Sequence, residues 1–167
     1  MITSFSEMSK DSRVWVYQSN RKFITSELEL LNSKILDFLK SWAAHGSEML
    51  SSYQIKYDRF IIIALDETKT SASGCSIDSC VHFIQGLEKT FEVSLLDKMN
   101  VAFKQGEYIT YKSIEDFKKL VSDRSVSKKT IVFNNLVVDI DDFNSNWEVP
   151  AISSWHSRFF SSFQKSI

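Results

Sequence analysis

Residues 60–67, FIIIALDE, form an unbroken hydrophobic run that ends in two carboxylates, Asp66 and Glu67. That is the pattern of a Walker B element, in which the Asp holds Mg²⁺ and the Glu polarises the attacking water. Such a pair works only beside a phosphate cradle, and the glycines forbid one. The chain has four glycines in 167 residues, where average usage gives about twelve. Gly46, Gly74, Gly86 and Gly106 never come closer than twelve residues, so neither GxGxxG nor a P-loop occurs. FIIIALDE reads as a strand buried on both faces whose acidic end reaches solvent.

Residues 71–80, SASGCSIDSC, form the second candidate. A small-residue loop entering a helix exposes backbone N–H groups and the positive end of the helix dipole. Three readings follow. Ser76 and Asp78 cap the helix while Gly74 makes the turn; or Asp66, Glu67, Gly74, Cys75, Ser76 and Asp78 surround a small anion or ligand; or Cys75 is a thiol nucleophile or redox centre. The last needs a base, for which His45 and His82 are the partners available, with His156 more distant. His45 also suits a plainer role in the last turn of a helix, neutralising carbonyl ends. Asn134, in Asn134-Asn135, is either a turn residue or an amide facing the same ligand. Cys75 and Cys80 lie five apart, which fits neither CxxC nor a zinc half-site, so no metal site is expected.

Around these residues the chain must supply a scaffold. Residues 1–12 are polar and read as a frayed lead-in to one globular domain over 13–163. RVWVY (13–17) has strand composition. Ser26 and Glu29 form a capping box for a helix over about 27–44, with Leu28, Leu31, Ile35, Phe38, Leu39 and Trp42 on one face and Gly46 as its C-cap. Residues 53–65 read as a strand, either continuous or divided in two by a hairpin turn near Asp58. Ser76 opens a helix with Cys80, Ile84, Leu87 and Phe91 as its stripe. A hairpin turns at residues 104–107, Ser113 and Asp116 start another helix, and TIVF (130–133) is a further strand. Residues 139–147 make a short acidic turn or helix, and Pro150 precedes a helical segment carrying Trp155, Phe159, Phe160 and Phe163. The order β-α-β-α-β-β-α-β-α predicts an α+β domain, a mixed sheet of about five strands with three to four helices packed against it.

At 43% hydrophobic, with thirteen Phe and four Trp, the chain can bury a core of that size. Its formal charge of −1 gives no field for general nucleic-acid or membrane-surface binding. Lys118, Lys119, Arg124, Lys128 and Lys129 read as a solvated face, and the late aromatics are not interleaved with lysines as in an RNA platform. Those aromatics, Trp147 to Phe160, suit a core or a homodimer interface. The longest apolar run is six residues, too short to span a membrane. The N-terminus lacks a signal-peptide pattern, and two cysteines make no disulfide framework, so a cytoplasmic protein is expected.

RVWVYQSNRKF (13–23), WAAHG (42–46), RFIIIALDE (59–67), ASGCSIDSCVHFI (72–84), VFNNLV (132–137) and VPAISSWHSRFF (149–160) together resemble a family of small cytoplasmic Bacteroidota proteins. Its members commonly carry the label "ABC transporter ATPase". The resemblance spans about 13–160 and carries over no catalytic residue and no cofactor. The expectation is a non-catalytic binding or adaptor domain for a protein partner or small anionic ligand. The alternatives are a thiol-dependent protein built on Cys75 and, behind it, the nucleotide-binding ATPase of the label.

Overall fold

The computed structural model describes residues 1–160 with the exception of His45 and Lys69. In chain order the elements are β1 (Arg13–Gln18), α1 (Thr25–Ser41), β2 (Ala43–Ala44), β3 (Ser47–Glu48), β4 (Leu50–Lys56), β5 (Phe60–Asp66), α2 (Gly74–Phe91), β6 (Asn100–Gln105), β7 (Tyr108–Ser113), α3 (Ile114–Ser122), β8 (Ile131–Phe133), α4 (Ile140–Asn146) and β9 (Glu148–Pro150). The α+β class stands. The larger strands fall into two antiparallel sheets, ordered β1-β5-β4 and β7-β6-β8-β9, rather than one mixed sheet, and β2 pairs with β3 as a small ribbon. The chain divides into two compact units. The first holds residues 1–96 and 138–143, the second 97–137 and 144 onward.

In the first unit β5 is the central strand, which explains why residues 60–65 are apolar without alternation. Phe60 to Leu65 are all fully buried. Ile61, Ile63 and Leu65 face α1 (Leu31, Ile35, Leu39) and α2 (Cys80, Ile84, Leu87, Phe91), with Tyr53 and Ile55 of β4 joining that core. The strand expected over 53–65 is a hairpin whose turn falls at Tyr57 and Asp58, both left-handed at φ 54°. Residues 1–12 lie in this unit. Ile2 bridges Ser51, Met8 is buried, and Phe5 meets Phe143 edge-on.

Helix α1 begins two residues before the Ser26/Glu29 box. Ile24 is its N-cap, and the Glu27 carboxylate accepts the Ile24 N–H at 2.9 Å. Arg21 decides this choice. Its guanidinium grips both Glu27 oxygens at 2.8 and 2.9 Å and donates to the Phe91 carbonyl at the end of α2 at 2.6 Å. The Arg21 hydrogen bonds, with the Ile24 N–H, hold the Glu27 carboxyl at about 2 instead of 4.5. Arg21 is 39% exposed, so water screens the pair and its contribution is about 1 kcal/mol. A depressed carboxyl stabilises above pH 4.5 and loses that effect as pH falls toward 2. Glu27→Gln is therefore expected to cost about 1 kcal/mol at neutral pH and nothing near pH 2, read from urea midpoints across that range.

Helix α1 stops at Ser41 with Trp42 as an extended C-cap, so Gly46 does not cap it. Gly46 (φ +75°) instead serves the turn between β2 and β3, where a left-handed residue is needed.

The second unit packs Val101 and Phe103 of β6 and Val132 of β8 against Phe117 and Val121 of α3, with Val126, Ala151 and Phe160 completing the core. Ser113 caps α3, accepting the Asp116 N–H at 3.1 Å, as the sequence predicts. The expected final helix opens as two 3-10 turns, Ala151–Ser153 and Trp155–Ser157, before residues 158–160 become helical. Phe163 lies outside the described residues.

Candidate functional site

The structure brings Asp66, Glu67, Gly74, Cys75 and Ser76 into one loop and helix start within the first unit, where Asp66, Glu67 and Ser76 hydrogen-bond internally. Asp66 accepts the Thr68 N–H at 2.9 Å, and Glu67 accepts the Ala72 N–H at 3.0 Å. Glu67 also lies 3.7 Å from the Arg13 guanidinium, which stacks over Trp15 at 4.6 Å. Ser73, not Ser76, is the N-cap of α2. Its hydroxyl accepts the Ser76 N–H at 3.0 Å, and the Ser76 hydroxyl accepts the Ser73 N–H at 2.7 Å. Two serines three apart satisfy each other, so the helix starts at Gly74 and that glycine is its first residue, not a turn. Ser76 is buried, and its carbonyl accepts the Trp42 indole N–H at 2.8 Å. Asp78 is exposed two residues further along.

Cys75 is exposed and Cys80 buried, both as free thiols. Burial pushes the Cys80 thiol up to about 11, and a contact of 3.6 Å to the Tyr17 hydroxyl completes its surroundings. His82 follows Cys75 by seven residues on the same helix, a rise of about 10 Å, which is out of hydrogen-bonding range. His45 lies outside the described residues. Asn134 belongs to the second unit and is spent on a turn. Its carbonyl side chain accepts the Leu136 N–H at 3.1 Å, and its own N–H donates to the Trp147 carbonyl at 2.7 Å. Among the described residues no cluster of His, Cys, Asp or Glu could hold a metal ion.

A concavity that sequence reasoning did not single out lies elsewhere in the first unit. It is an open groove of about 530 Å³ bounded by residues 2–5, by Leu28, Asn32 and Leu36 of α1, by residues 52–55 of β4 and by Asp58. The three helix residues recur every fourth position, which sets them on one face. Asn32 is the polar member of that face. It accepts the Tyr53 hydroxyl at 2.6 Å and donates to the Leu28 carbonyl at 2.8 Å, which ties helix to strand along the groove wall. A signal did exist: an amide set between Leu28 and Leu36 on an otherwise apolar stripe.

In the second unit Trp147 and Phe160 are buried. Trp155 and Phe159 are half-buried and carry cations on their rings, Arg158 at 4.8 and 5.6 Å and Lys118 over Phe159 at 5.8 Å. His156 is fully buried beside them. Among the described residues no helix is long and apolar enough to cross a membrane.

No protein-family model matches this chain, and neither do the curated proteins or the solved structures.

Proposed function

We propose that this chain is a non-catalytic binding or adaptor domain whose ligand face is the groove between α1 and β4. The observation that carries this reading is a contrast. Asp66, Glu67, Ser73 and Ser76 of loop 66–78 are hydrogen-bonded within their own loop and helix start, whereas the groove is open, concave and lined by mixed apolar and polar side chains. The two free cysteines support the cytoplasmic compartment that belongs to this proposal. The likeness to the small Bacteroidota proteins is part of it too, without their ATPase label. Asp66 and Glu67 turn their carboxylates onto Thr68 and Ala72 of their own loop.

Amide chemical shifts recorded against three probes test it: a library of neutral and cationic fragments, inorganic phosphate, and Mg²⁺-ATP. Fragments are expected to move Asn32, Tyr53 and Gln54, with phosphate and nucleotide leaving residues 74–76 in place. Phosphate shifts at Gly74, Cys75 and Ser76 without fragment shifts in the groove would instead favour the small-anion site at the loop. Silence from every probe would remove the binding reading.

A further inference from the structure

Each strand residue points its N–H and C=O to the same side, and successive residues alternate sides. Ser51 donates its N–H to the Met1 carbonyl at 2.9 Å and accepts the Thr3 N–H at 3.1 Å, so its backbone faces away from β5. By the same alternation Tyr53 and Ile55 face outward too, while Ser52, Gln54 and Lys56 pair inward with Ala64, Ile62 and Phe60. The N-terminal chain pairs in parallel at Ser51 only. At Ser4 it turns into a 3-10 segment, Phe5–Glu7. Among the described residues nothing meets the outward N–H and C=O groups of Tyr53 and Ile55. Backbone groups require partners, and proteins ordinarily blunt exposed edges with bulges, prolines or charges. Here the register runs unbroken from Leu50 to Lys56, without a proline and with Lys56, at its end, as the only charge.

That bare edge is the floor of the groove described above. Leu28, Asn32 and Leu36 line it together with Tyr53, Ile55 and residues 2–5. Residues 52–56 span about 13 Å, room for about four extended residues. Asp58 alone among the described lining residues is charged. A bare extended segment fits.

We propose that the outer edge of β4 receives an extended peptide segment of a partner protein, hydrogen-bonded to the backbone of Tyr53 and Ile55. The segment places apolar side chains against Leu28 and Leu36 and a basic side chain toward Asp58. The proposal rests on the binding reading above and adds its partner class: backbone pairing supplies affinity, and alternate side chains supply specificity.

The probe is the blocked peptide acetyl-Lys-Val-Thr-Val-Lys-amide, with two controls: the same peptide N-methylated at both valines, and its Glu-for-Lys counterpart. The readout is hydrogen exchange of the Tyr53 and Ile55 amides. In the free protein these two are expected to exchange rapidly while Ser52 and Gln54 are slow. The lysine peptide should slow Tyr53 and Ile55 by about tenfold or more, the glutamate peptide less, and the N-methylated peptide not at all. Slow exchange at both amides in the dilute free protein would overturn the proposal. So would equal protection by the N-methylated peptide, or protection that rises with protein concentration alongside a dimer mass. If no peptide protects the edge while fragments still shift Asn32 and Tyr53, edge pairing fails and the binding reading survives.

Discussion

Trp42→Ala is expected to destabilise the first unit by about 4 kcal/mol, the largest single effect anticipated for this chain. Trp42 is 3% exposed and closes α1 as its C-cap. Its ring meets Trp15 edge-on at 6.0 Å and tilts against Phe38 at 5.4 Å, and Phe38 in turn stacks on Phe83 of α2 at 4.4 Å. The indole N–H donates to the carbonyl of Ser76, in the first turn of α2. Truncation therefore opens a cavity beside the Trp15 and Phe38 rings and removes the tie between the end of α1 and the start of α2. Trp42→Phe separates the two losses. It keeps most of the buried area and leaves the Ser76 carbonyl without the indole donor, a cost of about 1–2 kcal/mol. Urea unfolding gives both totals, and hydrogen exchange at residues 76–78 reports whether the first turn of α2 loosens. A Trp42→Phe cost equal to that of Trp42→Ala would mean that the hydrogen bond, not the packing, carries the site. A Trp42→Ala cost below about 1 kcal/mol would mean that the aromatic cluster closes over the gap.

This contact bears on the loop that attracted attention in the sequence. Loop 66–78 has the composition of a ligand site, and three of its features also serve the fold: the Ser73–Ser76 box, the two carboxylates turned onto backbone N–H groups, and the Trp42 indole bonded to the Ser76 carbonyl. Small polar residues at a helix entry suit an anion and a self-capped turn equally well, because both use the same unsatisfied N–H groups. Of those groups, the Ser76 N–H is taken by the Ser73 hydroxyl.

What could be read in advance was whatever depends on local pattern. The run FIIIAL required burial on both faces, and β5 has it as the central strand. The stripes Leu31-Ile35-Leu39 and Cys80-Ile84-Leu87-Phe91 became the core faces of α1 and α2. Errors arose where a distant residue decided a local choice. Ser26 and Glu29 are a sound capping box, but Arg21 recruits Glu27 and bonds to Phe91 at the same time, so the helix starts earlier. Gly46 suits a helix C-cap and a hairpin turn alike, and the β2–β3 pairing settles it as a turn. The groove was hidden for the same reason. Whether β4 is an edge or an interior strand depends on pairing, and the Tyr53–Asn32 contact that lines the groove joins residues 21 apart in sequence. A residue string shows alternation within a strand and says nothing about which side lacks a neighbour.

Acidification from pH 6.5 to 4 is expected to withdraw about 3 kcal/mol from the second unit through one side chain, His156. The imidazole is fully buried, stacked on Trp155 at 4.0 Å and edge-on to Phe117 at 5.9 Å. Its Nδ1 lies 2.7 Å from the Ser154 hydroxyl, while Nε2 is buried with no partner among the described residues. Protonation would add a charge where only one nitrogen has a polar neighbour. Burial first, and then the nearby Arg158 charge, lower the folded pKa from 6.5 to about 4. The unfolded chain therefore takes up the proton first. The stabilisation is complete above pH 6.5, falls as pH drops toward 4, and changes no further below that. His156→Gln removes the titration, so the wild-type and variant stability curves should converge or cross between pH 6.5 and 4 and run parallel elsewhere. Carboxylates that titrate in both proteins cancel in that difference. Glu27, in the first unit, titrates lower, between 4.5 and about 2, so the two effects occupy largely separate pH windows and belong to different units. Urea unfolding at half-unit pH steps, with hydrogen exchange to assign each loss to its unit, checks both. Curves for wild type and His156→Gln that stay parallel from pH 7 to 4 would show that water reaches Nε2 and that the imidazole titrates as it does in the unfolded chain.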